Sequence, residues 1–169
     1  MHYRLAVEDI EPSHWVAWAL DLPGCFSPAK TSADAIAAAS RRIGEYFSWV
    51  REYDPRSPLP PEAVETDVVE TFHSFPSKDD PEYIVNAFFE DDRRPLSYWD
   101  VIASLRLLEW TRQDLLQVIA SVDESRLQMT IPGETFISIS GIIRHVAGAE
   151  NWYFGHMGLA LEWAALPED

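Results

Sequence analysis

Residues 14–35 read His14-Trp15-Val16-Ala17-Trp18-Ala19-Leu20-Asp21-Leu22-Pro23-Gly24-Cys25-Phe26-Ser27-Pro28-Ala29-Lys30-Thr31-Ser32-Ala33-Asp34-Ala35, and this stretch decides the fold of the first half of the chain. Its opening predicts a strand over 14–20. Val16, Trp18 and Leu20 fall on one face, and Trp15, Ala17 and Ala19 on the other. Both faces are apolar, so the strand is expected to be covered on both sides. Pro23-Gly24 then turns the chain. Thr31 or Ser32 begins a helix over 32–50, with Asp34 three residues after Thr31 much as in a capping box. Ala35, Ile36, Ala39, Ile43, Tyr46, Phe47 and Val50 make its apolar stripe.

Working outward, residues 3–9 alternate as a first strand, with Tyr3, Leu5 and Val7 on one face, and Glu11-Pro12-Ser13 forms a hairpin loop to the second. Pro55, Pro58, Pro60 and Pro61 interrupt regular structure beyond the helix. Two more strands are expected, over 66–75 and 82–90, from their β-branched and aromatic residues. The charged run Asp91-Asp92-Arg93-Arg94-Pro95 marks a module boundary, dividing the chain into 1–95 and 96–169. The second part reads as two long helices. One is capped by Ser97 and runs to about Ala120; the other is capped by Ser138 or Ser140 and runs to about Ala165. A loop over 123–138 joins them, centred on Pro132-Gly133. The fold class is therefore α+β: a small antiparallel sheet with one packed helix, followed by a two-helix antiparallel hairpin.

The chain of 169 residues carries a net charge of −15, and both halves are acidic. A basic stripe for phosphate contacts is missing, so nucleic acid is not the expected partner. Nor is a membrane, for lack of a basic amphipathic helix or a long apolar run. A small basic protein is electrostatically suited. Cys25 is the single cysteine, so an intrachain disulfide is impossible, and a buried, inert thiol is expected. No targeting pattern opens the chain, and the cytoplasm is the expected compartment.

Trp18-Ala-Leu-Asp-Leu-Pro-Gly-Cys25, followed by Thr31-Ser-Ala-Asp-Ala35 and a helix, resembles the HicB-like antitoxin fold. In that family a strand ends in a D-L-P-G-C turn, and a short third strand and a T-x-x-E-A helix start follow; Asp34 stands here in place of Glu. The resemblance implies a HicB-like α+β module over about residues 3–50. No helix-turn-helix or ribbon-helix-helix segment accompanies it, so repressor function is not carried over. The stretches Leu107-Leu-Glu-Trp-Thr-Arg-Gln-Asp-Leu-Leu116 and Ser140-Gly-Ile-Ile-Arg-His-Val-Ala-Gly-Ala-Glu-Asn-Trp-Tyr153 resemble the first two helices of the DinB/YfiT-like superfamily of four-helix bundles. Several of those are metal-dependent thiol transferases or isomerases with a three-histidine site. The resemblance places His145 at the second-helix ligand position, while the later H-x-x-x-H is not found in these residues.

Chemistry is sparse. Phosphate-binding, hydrolase-elbow and C-x-x-C motifs are all missing. His2, His14 and His73 lack metal-ligand spacing. His145 and His156 share a helix face, but about 16 Å of helix between them prevents a shared ion. Turning about 100° per residue places Glu150 inside the apolar stripe of Ile139, Ile142, Ile143, Val146, Tyr153 and Met157. Glu109 and Arg112 fall likewise within the arc of Ile102, Leu105, Leu108, Leu116 and Ile119 on the preceding helix. Arg112 is expected to bond Glu150, Glu109 or both across the pair, as a buried polar network. Two roles fit Glu109, Arg112, His145 and Glu150: an internal salt bridge that fixes helix register, or a pocket holding acid-base groups or a metal at His145. Apolar residues outside the main arcs predict a homodimer that completes a four-helix bundle, with packing of the hairpin on its own sheet as the alternative. The function expected is a binding or interaction protein with no cofactor. The alternative is a DinB-like metal-dependent enzyme, a thiol transferase or relative, using zinc or nickel.

Overall fold

A computed structural model describes residues 1–130, 132 and 138–162. It is a mixed α and β structure with a four-stranded sheet, a two-stranded sheet and four α-helices among those residues. Contacts divide the chain into two units, Met1–Leu107 and Leu108–Asp169, and the division falls within one helix.

In the first unit, β1 (His2–Glu11) and β2 (His14–Ala19) form an antiparallel hairpin in which Leu5 faces Ala19 and Val7 faces Ala17. A register shift between Asp9 and Glu11 and a positive φ of 63° at Ser13 close its turn. The Leu22-Pro23-Gly24-Cys25 turn follows. Its Cys25 N–H donates to the Leu22 carbonyl at 2.9 Å, and Gly24 sits at φ 82°. Proline second and a positive-φ glycine third is the residue pattern of a type II turn. The turn sends the chain back as β3 (Phe26–Ala29), paired antiparallel to β2. Thr31 then caps α1 (Ser32–Tyr53), its Oγ1 accepting from Asp34 N at 3.1 Å. Asp34 returns the contact to the Thr31 hydroxyl at 2.7 Å rather than to its backbone, so the box is only half formed.

Ala35 and Ala39, one helical turn apart, bring α1 close to the sheet. Ile43 then packs fully buried among Tyr3, Leu5, Val7, Ala17, Ala19 and Cys25. Each such aliphatic side chain contributes about 1.5–3 kcal/mol by leaving water.

The sheet departs from the antiparallel expectation. β4 (Glu65–His73) lies beside β1 in parallel, giving the order β3-β2-β1-β4. Parallel strands need a long crossover. Here α1 and the proline-rich residues 54–64 carry the chain from one sheet edge to the other. The strand expected over 82–90 is also much shorter. β5 (Phe75–Pro76) pairs with β6 (Ile84–Val85) for two residues each. Pro76 has no N–H to extend that ladder. The chain beyond it lies against the second face of the large sheet, where Ala87 N donates to the Glu8 side chain at 2.9 Å and Phe89 is buried. Both faces of the sheet are thus occupied, as the two apolar faces of β2 predict. A 3-10 turn over Glu90–Arg93 completes this cover.

α2 (Tyr98–Ala120) begins with a reciprocal box. Asp100 N donates to Ser97 Oγ at 3.2 Å, and Ser97 N to Asp100 Oδ2 at 2.8 Å. In the second unit a one-turn helix, α3 (Glu124–Leu127), stands inside the expected loop. Ser138 caps α4 (Ile139–His156), accepting from Gly141 N at 3.1 Å. Pro132 lies in a turn, and Gly133 falls outside the described residues.

α4 stops well short of Ala165. Leu159 N bonds the Phe154 carbonyl at 2.9 Å and Gly158 N bonds the Gly155 carbonyl at 3.0 Å, with Gly158 at φ 69°. These are the two bonds of a Schellman end, for which Gly158 supplies the left-handed residue. Residues 163–165 of the expected helix lie outside the described residues. No helix among the described residues is long and apolar enough to cross a membrane.

Candidate functional site

The helical phase that places Glu150 and Arg112 in facing apolar arcs is realised in one contact: Arg112 Nη2 bonds Glu150 Oε1. The burial expected for the pair is not. The Arg112 side chain is 57% exposed and that of Glu150 44%. Glu109 and His145 are exposed as well. The reason lies in the helices themselves. α2 has no buried residue, and α4 has only Asn151. Leu108 and Leu116 on α2, and Tyr153 and Met157 on α4, each leave more than half their surface open. These belong to the stripes expected to be hidden, and no described residue of the second unit covers them. An exposed ion pair contributes ~1 kcal/mol or less, well below the 3–5 kcal/mol of a buried one.

Asn151 has a role that periodicity does not signal. Its Oδ1 accepts from Leu161 N at 2.9 Å and its Nδ2 donates to the Leu161 carbonyl at 3.2 Å. The side chain thereby imitates a strand partner and folds the residues after the Schellman end back along α4. The result is an open groove of about 370 Å³ lined by Ala147, Glu150, Asn151, Phe154, Leu159 and Leu161. On the same helix the Trp152 and His156 rings touch at a tilt of 54°, centroids 4.1 Å apart, with His156 Nδ1 2.9 Å from the Trp152 carbonyl oxygen. Among the described residues no group of three or more His, Cys, Asp or Glu side chains is placed to hold a metal ion.

The first unit holds a second groove, of about 470 Å³, on the sheet face away from α1. Glu8 forms part of its wall. Only 5% of this residue is exposed, and its oxygens accept from the Trp18 indole N–H at 3.0 Å and from Ala87 N at 2.9 Å. Arg4 stands on the same face of β1, engaged elsewhere. Its guanidinium donates to Asp21 at 2.7 and 3.0 Å and to Asp91 at 2.9 Å. Burial pushes the Asp21 carboxyl up, but the Arg4 hydrogen bonds outweigh it and hold the group below its ordinary range.

No family model, no curated protein and no solved structure matches the chain.

The remaining candidates are quiet. The Cys25 thiol is buried, and burial pushes it up to about 11, which removes its nucleophilic form at neutral pH. Tyr46, beside it, is pushed up to about 12 for the same reason and donates to the Pro23 carbonyl at 3.2 Å. His2 meets Asp67 at 2.8 Å, and His73 meets Asp9 at 2.8 Å. Both contacts tie β1 to its parallel neighbour β4.

Proposed function

We propose that this protein acts by binding, through a HicB-like module and a helical bundle that a second copy of the chain completes. The single observation that carries the reading is the open state of α2 and α4. Helices of 23 and 18 residues retain one buried residue between them while carrying Leu108, Leu116, Tyr153 and Met157 in the open. Apolar stripes of this kind mark an interface.

The sheet of the same chain is a poor candidate for their cover. α1 occupies one of its faces and residues 85–92 the other, with Ala6, Val16 and Phe89 already buried there. A second copy fits better. A two-fold axis sets identical stripes against each other, and α2 with α4 offers the roughly 20–30 residues per side that a standard interface uses. This assembly would supply the half of a DinB-like bundle that two helices lack.

For the first module, the short strand β3 after the Asp21-Leu22-Pro23-Gly24-Cys25 turn and the Thr31-capped helix support the HicB-like reading. Its acidic surface suits a small basic protein partner. Light scattering behind gel filtration tests the assembly. The expected mass is about twice 19.3 kDa. Leu116→Glu, at an exposed position, should return the protein to a monomer with little change in its melting of the first unit. A wild-type monomer at micromolar concentration would remove the proposal.

A further inference from the structure

Glu8 is a buried carboxylate whose partners are both neutral. Each oxygen accepts one N–H bond, from the Trp18 indole and from Ala87, and a carboxylate has room for about four. Among the described residues no cation is paired with it. Arg4, on the same face, is committed to Asp21 and Asp91, and Arg94 lies 3.8 Å from Asp100. A buried anion without a counter-ion is unfavourable unless something supplies the opposite charge. The groove that Glu8 lines is open to solvent. Its walls combine apolar and aromatic side chains, Leu22, Trp18 and Phe89, with the carboxylates of Asp91, already paired with Arg4, and Asp92, which accepts from Phe89 N, and with Arg94, whose guanidinium faces Asp100 at 3.8 Å.

We infer that this groove binds a primary ammonium group carried on an alkyl stem. The stem lies along Leu22 and Phe89, and the ammonium, with three donors, meets the remaining lone pairs of Glu8 beside the face of Trp18. Trp18 is held for this role, since its ring packs on Phe26 with centroids 5.1 Å apart while its indole N–H fixes Glu8. The inference concerns the first unit alone and stands or falls separately from the helical assembly.

The test uses the full-length protein labelled with nitrogen-15 and titrated with n-butylammonium chloride. The Trp18 indole and Ala87 amide signals should shift saturably. n-Butanol, sodium butyrate and sodium chloride at matched ionic strength should not reproduce the shift. Glu8→Gln keeps the shape and one acceptor, and should weaken binding by about tenfold or more, the size of a lost charge-assisted hydrogen bond. Because Glu8 also anchors Ala87, a second variant leaves it untouched. Leu96→Lys, on the exposed rim, brings a competing cation to the groove and should weaken binding with an unchanged melting temperature. A blocked lysine amide separates the two sources of the ligand. Binding equal to that of butylammonium assigns the groove to a lysine side chain of another protein, and binding of butylammonium alone assigns it to a small amine. An equal response to butanol, or an unchanged response in both variants, overturns the inference.

Discussion

At the scale of single residues, the polar contacts of the first unit set its behaviour in acid. Asp21 receives the Arg4 backbone N–H at 3.0 Å and its guanidinium at 2.7 and 3.0 Å. Burial works against the ionised form, but these bonds prevail and keep the folded-state pKa below the ordinary 3.8. A depressed carboxyl stabilises the fold above its unfolded value. That contribution disappears as pH falls below 3.8 and through the folded value. Asp21→Asn should therefore be less stable than the wild type at pH 6, with the gap closing by pH 2–3 in urea titrations. A gap constant across that window would show that Asp21 acts through packing alone. Residues of this kind were partly legible. The Asp21-Leu22-Pro23-Gly24-Cys25 turn and the Thr31 cap follow from conformational preferences that each residue carries wherever it stands. Glu8 was not legible. It follows Val7 at the end of an alternating strand and reads as solvent-facing, and its cover arrives in the chain some eighty residues later, at Ala87.

At the scale of elements, the sequence-based expectation succeeds where one helix or strand contains its own signals. β1, β2, α1 and the starts of α2 and α4 are set by alternation, stripes and caps at Thr31, Ser97 and Ser138. Helical phase left Glu150, Glu109 or both as partners for Arg112, and the contact formed is with Glu150. The failures concern relations between elements. Alternation marks a strand but not its neighbour, so the parallel placement of β4 beside β1 could not be read. Periodicity gives the direction of an apolar stripe but not whether anything covers it, so it carries no sign of the exposure of Arg112 and Glu150. The early end of α4 was encoded in Gly158, yet its force depends on the tail being fastened. Asn151 does the fastening, and Asn151→Ala should free Leu161 N–H and C=O together. Loss of the two bonds corresponds to about 1–3 kcal/mol of local stability, because groups that remain half-buried lose their partners. The Leu161 amide should exchange with solvent about tenfold faster or more, while amides of β1 and β2 keep their rates. Equal protection of Leu161 in the variant would show that the Schellman end alone holds the tail.

At the scale of the whole molecule, charge and apolar surface pull in opposite directions. A net charge of −15 in 169 residues makes two copies repel. The helix faces proposed to join them are apolar, with Arg112 and Glu150 already neutralising each other within the chain. Salt should therefore screen the repulsion without touching the attraction. The screening length falls from about 30 Å at 0.01 M to about 10 Å at 0.1 M, so the largest change belongs to that interval. Sedimentation equilibrium should show self-association strengthening as sodium chloride rises across it, then levelling off. Binding of a basic protein to the acidic first unit should do the reverse and weaken steadily, since the same screening removes its attraction. The two responses separate the two proposed surfaces in one experiment. Self-association that weakened with salt would mean that charged groups rather than the Leu108, Leu116, Tyr153 and Met157 faces hold the copies together, and the bundle would have to be abandoned.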